Sequence, residues 1–285
     1  MREGKPSFTA AAVAAARAIA RVDPLATALV DGPLSLVMRA GRRGRASAAA
    51  VNLATLGLVD HIELRTLAID AALREAVAAG VRQLVVLGAG LDARAWRMPE
   101  LAETRVYEVD HPSTQAYKQA RIGARSPAAK EVRFVAVDFA RDSLREAMER
   151  AGHDASAPTF WLWEGVTPYL PLEAIRATLA AVASRSAEES RIAVTYGTPQ
   201  GSPLGGTAVR AARVAFRAIG EELLGLLTPD AMHEELAAVG FRLVEDLSAA
   251  DWGARFGGGR RRLLFVDEHL AVAVSGGPPR ASRAA

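Results

Sequence analysis

The stretch Gln83-Leu84-Val85-Val86-Leu87-Gly88-Ala89-Gly90-Leu91-Asp92-Ala93-Arg94 decides the fold. A short apolar run rich in β-branched residues, ending in Gly-x-Gly, reads as a buried strand with a sharp turn at its carboxyl end. Glycines let a backbone turn tightly and approach a ligand closely at the carboxyl edge of a sheet. Downstream, further strand-like runs occupy 105–109, 132–137, 159–163, 191–196, 241–247 and 270–275. Helical stretches at 144–151, 172–184 and 229–239 lie between most of them. This alternation predicts an α/β fold with a doubly wound, mainly parallel, Rossmann-like sheet. The last two strands lack a clear long crossover helix, so one is expected to run antiparallel at the edge.

Upstream, residues 9–79 contain no strand-like run. They read as several helices, broken near Asp23-Pro24 and again in a Gly- and Arg-rich loop. Ser7 or Thr9 is a natural N-cap for the first of them. The expected organisation is one domain over 1–275, with 1–79 as a helical lid and 80–275 as the α/β core. An insert at 197–227 is too long for a simple connection, and its middle, 207–219, suits an amphipathic helix in a substrate flap. The Gly-Gly-Pro-Pro-bearing tail, 276–285, is expected to be disordered.

Composition removes several function classes. The chain has 285 residues, half of them hydrophobic, and no cysteine, which excludes disulfides, thiol catalysis and thiolate metal sites. No apolar run reaches the ~18 residues of a membrane span. Arg17 and Arg21 interrupt the early alanine run, so it reads as a helix, not a signal peptide. A cytoplasmic protein without a membrane partner is expected. Net charge is only +3. Its basic clusters, Arg39, Arg42, Arg43 and Arg45, then Arg260, Arg261 and Arg262, carry no interleaved aromatics and read as solvated loops, so no nucleic-acid partner is expected. The histidines at 61, 111, 153, 233 and 269 show no metal-ligand spacing, and no Gly-x-Ser-x-Gly elbow is present.

Asp110 stands 20 residues beyond Gly90, at the end of the second strand, where a carboxylate can accept hydrogen bonds from two ribose hydroxyls. Gly-x-Gly together with such an acid also fits a dinucleotide dehydrogenase. Three details favour adenosine joined to an amino acid. Asp92 sits in the turn where a pyrophosphate would want no anion. Asp138 and Phe139 end the third strand as an acid–aromatic pair suited to adenine. Glu164 ends the fourth, poised for a cationic amine. Each has a plainer alternative. Asp138 could be a helix N-cap, Asp92 with Arg94 could merely order a loop, and Trp161 and Trp163 read as packing.

The sequence resembles the leucine carboxyl methyltransferase family, and in particular its bacterial branch named for S-adenosylmethionine (SAM) dependence. The matching pieces are Arg65-Thr66 with Ile69-Asp70, the Gly88–Arg94 turn, Tyr107-Glu108-Val109-Asp110-His111-Pro112 with Lys118, Val137-Asp138-Phe139, and Trp163-Glu164-Gly165-Val166-Thr167 with Tyr169-Leu170. Ser7-Phe8-Thr9-Ala10 and Pro229-Asp230 to Gly240-Phe241 look like the family's two ends. The resemblance implies a class I SAM-dependent methyltransferase fold. It implies that Arg65 grips the cofactor's carboxylate and that Gly88 and Gly90 pass under its methionine part. Asp110 would hold the ribose, with Glu108 as competitor; Asp138 and Phe139 would bracket the adenine, and Glu164 would meet the α-amino group. Ala93 and Pro168 depart from the usual threonine and methionine, and Pro168 falls where the acceptor pocket would be shaped.

Without the resemblance, Arg65 could be a solvated charge or a partner of Glu63 or Asp70. No catalytic base is identifiable, which suits a carboxylate acceptor because it is already ionised at neutral pH. The expected reaction is direct O-methylation of a carboxylate on a small molecule. Methylation of a hydroxyl, an NAD-dependent oxidoreductase, and a cofactor-binding module without turnover are the alternatives. Sequence leaves the acceptor and the oligomeric state open.

Overall fold

The computed structural model describes residues 7–139, 141–199, 223–257 and 268–276. The chain begins with α1 (Phe8–Ala20), α2 (Ala26–Leu29), α3 (Gly32–Gly41), α4 (Arg45–Ala54) and α5 (Leu58–Ala78). Ser7 caps α1 by accepting the Ala10 N–H at 3.0 Å. The expected break is built by Asp23, whose Oδ1 accepts the N–H groups of Leu25 and Ala26 at 3.0 and 3.1 Å. The small side chains Ala14 and Ala18, with Ile19, let α1 pack closely against Leu29 and Ile62 in a core of its own.

Seven described strands form one sheet: β1 (Gln83–Leu87), β2 (Arg105–Asp110), β3 (Glu131–Ala136), β4 (Thr159–Trp163), β5 (Arg191–Gly197), β6 (Phe241–Ser248) and β7 (Glu268–Ser275). Their order is β3-β2-β1-β4-β5-β7-β6. β1 to β5 pair in parallel, and β7 runs antiparallel to both β5 and β6. The antiparallel strand therefore lies one place in from the edge, not at it. The chain crosses from β5 to the outermost position, where β6 runs parallel to β5, and β7 then fills the gap from the opposite direction.

β1 and β4 are buried along their whole length, as expected of central strands covered on both faces. Alternation along β4 splits its side chains. Trp161 and Trp163 join the core with Leu179 and Met232, while Phe160 and Leu162 face Leu64, Ile69 and Trp252. The tryptophans are packing residues, each contributing ~1.5–3 kcal/mol or more through burial. The remaining described α-helices are α6 (Arg94–Arg97), α7 (Pro112–Ile122), α8 (Leu144–Arg150), α9 (Leu172–Ser184), α10 (Pro229–Ala238) and α11 (Ala249–Phe256). No helix among the described residues is long and apolar enough to cross a membrane.

The chain winds outward from β1 to β3, then returns to β4 on the other side of β1. This reversal opens a crevice at the carboxyl ends of β1 and β4, the switch point where doubly wound sheets bind ligands. The amphipathic stretch 207–219, the cluster Arg260–Arg262 and residues 277–285 lie outside the described residues. The exit of the insert is described: Leu224 and Gly225 donate to the Pro168 carbonyl at 2.8 and 3.0 Å, beside the turn after β4. In the first arginine cluster, Arg39, Arg43 and Arg45 are exposed.

Candidate functional site

The switch-point crevice holds a cavity of about 410 Å³, within the ~300–1,000 Å³ range of small-molecule sites. One wall is α1, through Ser7, Thr9, Ala10, Val13 and Arg17. Arg65 comes from α5, Gly88 and Gly90 from the turn after β1, Asp110 from the end of β2, Asp138 and Phe139 from beyond β3, and Glu164 and Tyr169 from beyond β4. The turn is sterically committed. Gly88 has φ +65°, and a Cβ there would stand 2.6 Å from the Val166 side chain. A side chain at this point would both strain the backbone and fill the cavity floor.

At the β4 end, charge is buried and almost fully matched. Glu164 Oε1 accepts Arg17 Nη2 at 2.6 Å and Arg65 Nε at 3.0 Å, and its Oε2 accepts Arg94 Nη1 at 2.9 Å. Arg94 also engages Asp92, and donates from Nε to Asp70 at 2.7 Å. Arg97 closes on the same Asp70 with 2.6 and 2.9 Å bonds. Arg65 Nη1 meets both oxygens of Glu268 at 3.0 Å, and His61 Nε2 lies 2.6 Å from Glu268. Burial alone pushes the Glu164 carboxyl up, but the guanidiniums of Arg17, Arg94 and Arg65 outweigh it and hold the group well below the usual carboxylate range. Asp92, Asp70 and Glu268 obey the same logic, with burial overcome by neighbouring arginines. An ionised carboxylate offers about four acceptor sites, so Glu164 keeps one beyond its three arginines. Arg65 keeps Nη2 beyond these carboxylates, and its guanidinium end lines the cavity beside Gly165.

At the β2–β3 end the groups are more open. Asp110 Oδ2 accepts the Gly90 N–H at 2.5 Å and Oδ1 the His111 N–H at 2.6 Å. Burial raises its carboxyl, partly offset by these two backbone donors. These bonds, with a further one from the Thr114 side chain, fix the carboxylate at the cavity and leave about one acceptor site for the ribose. Phe139 is 44% exposed at the rim, beside Asp138. Glu108, the competitor for the ribose role, is absent from the cavity lining. It lies two residues deeper along β2, where burial pushes its carboxyl up to about 7 against the pull of Lys118, whose Nζ stands 2.5 Å away.

The structure thus gathers Arg65, Gly88, Gly90, Asp110, Asp138, Phe139 and Glu164 around one cavity and leaves Glu108 outside it. Arg65 is buried and pairs with neither Glu63 nor Asp70; its partners come from β4 and β7. Three contributors escape a sequence-based reading as site residues. Arg17 reads in sequence as an interruption of an alanine run, Arg94 as a loop-ordering residue, and Glu268 falls just before the expected start of the last strand. A lone arginine on an alanine-rich helix destined for burial is the available signal for Arg17.

The sequence profile of the family described as leucine carboxyl methyltransferase matches residues 10–183. The chain belongs to that family. A relative from Mycolicibacterium smegmatis, named as a candidate SAM-dependent methyltransferase, is 42% identical over 201 residues, covering 66% of this chain and 64% of the relative. One from Streptomyces coelicolor with the same kind of name is 41% identical over 144 residues, covering 50% of each. The chain thus spans between half and just under two thirds of these relatives' lengths. Among solved structures, a DUF574 family protein from Streptomyces avermitilis superposes with a TM-score of 0.63 at 17% identity, covering 96% of this chain and 99% of that one. A candidate methyltransferase from Thermobifida fusca gives 0.61 at 18% identity, covering 96% of each. These likenesses show that the doubly wound α/β fold is shared with those two proteins over nearly the whole chain.

SAM, the cofactor in the relatives' names, fits the donor set of this cavity. Arg65 Nη2 and the neighbouring Arg17 can meet its carboxylate, and the remaining acceptor site of Glu164 its ammonium. Asp110 can meet its ribose and Phe139 its adenine, with the Gly88 turn beneath. A pyrophosphate fits poorly, because Asp92 and Glu164 place two carboxylates at the turn where its charge would lie.

Proposed function

We propose that this family member transfers the methyl group of SAM to a carboxylate oxygen of a small acceptor. The observation that carries the reading is the divided cavity. A guanidinium–carboxylate network closes one end, a ribose-and-adenine set the other, and no described lining residue between them is poised to take a proton. His111, the only imidazole in the described lining, flanks Asp110 and turns its Nδ1 to Ser113 Oγ at 2.8 Å. Glu164 is a poor base because three guanidiniums hold it ionised. When bound, SAM supplies a methyl group already activated on a positively charged sulfur.

The chain's own contribution is then placement. Arg65 and Glu164 fix the amino-acid end, Asp110 and Phe139 the nucleoside end, and α1 walls the cavity from water. Orientation of this kind is worth up to ~7–11 kcal/mol of a barrier. A carboxylate acceptor is ionised well below neutrality and needs no base. A phenol or amine would require one of matched pKa. Tritiated SAM incubated with panels of small carboxylic acids and phenols tests the choice. Label in a base-labile ester, formed at a rate nearly flat from about pH 6 to 8, is expected. Label confined to base-stable ethers would overturn the carboxylate assignment.

A further inference from the structure

Arg65 carries five N–H donors, and two carboxylates engage three of them. Its Nε–H goes to Glu164 at 3.0 Å, and Nη1 faces both oxygens of Glu268 at 3.0 Å. The one nitrogen left without a carboxylate partner among the described residues is Nη2, and the guanidinium end, Nη1 and Nη2 alike, stands 3.7–3.8 Å from where a Cβ on Gly165 would be, at the cavity wall. A guanidinium held at one edge can swing about its stem; one held at two edges cannot. Glu268 supplies the second edge.

Glu268 opens β7 opposite Gly197, at the carboxyl edge of β5, and is buried. It is itself fixed, since His61 Nε2 reaches it at 2.6 Å from α5, one turn before Arg65. The His61 ring in turn leans on Trp252, with centroids 5.7 Å apart. Glu164 is shared with Arg17 and Arg94, so Glu268 is the carboxylate that Arg65 does not share with another arginine, and it meets the guanidinium at a second edge. Burying a further carboxylate is unfavourable unless its geometry is exploited. The family match ends at residue 183, so nothing in it assigns a role to position 268.

We propose that Glu268 is a positioning residue, which holds Arg65 with its Nη2 edge toward the carboxylate of the cofactor's methionine part. This inference rests on the methyltransferase reading above. Calorimetry on the full chain tests it with two ligands: S-adenosylhomocysteine, and 5′-methylthioadenosine, which keeps the nucleoside and sulfur but lacks the amino-acid end. Glu268→Gln is expected to weaken S-adenosylhomocysteine tenfold or more while 5′-methylthioadenosine stays within twofold. Glu268→Asp keeps the buried charge but shortens the stem, and is expected to show the same selectivity in smaller measure should the glutamine variant fail to fold. In an Arg65→Ala background, Glu268→Gln is expected to add nothing, because the two residues act as one unit. Equal weakening of both ligands, no weakening of either, or a full second loss in the double variant would overturn the proposal. Absence of S-adenosylhomocysteine binding in the unaltered chain would instead bring down the cofactor reading on which it rests.

Discussion

At the β4 end of the cavity, the acids and guanidiniums answer one another: Arg17, Arg65 and Arg94 converge on Glu164, while Asp70, Asp92 and Glu268 hold those arginines in turn. At the β2–β3 end, Asp110 is fixed by two backbone N–H groups and Phe139 lies half open at the rim. The first end ties α1, α5, α6, β4 and β7 into one charged knot, so recognition and folding depend on the same side chains. At the second, recognition sits on a loop and two strand ends that the fold would keep without it. Changes at the first end should therefore disturb stability and binding together, and changes at the second should disturb binding alone.

The largest effect is expected at Arg94. Arg94→Met leaves Asp70, Asp92 and Glu164 short of a buried cation, and removal of one partner from such a set costs about 3–5 kcal/mol. Thermal unfolding should fall by ~10 °C. A loss of only a degree or two would mean that the knot is not structural.

The pH dependence is the next test. Asp70, Asp92, Glu164 and Glu268 all have folded carboxyls below their ordinary values of 3.8 or 4.5. Their stabilisation is fully present above those values and is lost as pH falls through the depressed ones. The melting temperature is expected to drop steeply below about pH 4, and Arg94→Met should flatten that acid limb. Glu108 moves oppositely: burial raises its carboxyl from 4.5 to about 7, so its contribution declines as pH climbs across that window.

Asp110→Asn should leave the melting temperature nearly unchanged but weaken both S-adenosylhomocysteine and 5′-methylthioadenosine by ~1.5–3 kcal/mol, the worth of charge-assisted bonds. Arg65→Ala should separate the two ligands, weakening only the first. If Asp110→Asn unfolds the protein instead, the contrast between the ends is lost. The smallest effect is expected at Phe139→Ala, ~0.5–1.5 kcal/mol for an aromatic contact at an open rim. Titration of either ligand would register it as a several-fold rise in Kd.

Much of this architecture is legible in the amino-acid sequence. Strand edges come within one or two residues because β1 and β4 are short apolar runs with sharp glycine and acidic ends. Gly88, Gly90 and Asp110 are legible because a turn and a strand-end acid have fixed spacing along the chain. Arg17 and Glu268 are not, since a charge that is paired across 147 or 203 residues looks locally like any other surface charge. The same blindness makes Arg65 look like a partner of Glu63 or Asp70. An antiparallel strand is expected at the sheet edge, yet β7 lies inside it, because strand order beyond β5 depends on how a long connection returns, which local pattern does not encode.

The central claim is that this cavity is built for a nucleoside joined to an amino acid. Titration calorimetry of the unaltered chain with S-adenosylhomocysteine and, separately, with NAD tests it most directly. Saturable one-site binding of S-adenosylhomocysteine is expected, with no measurable heat of binding from NAD. Tight binding of NAD with none of S-adenosylhomocysteine would contradict it.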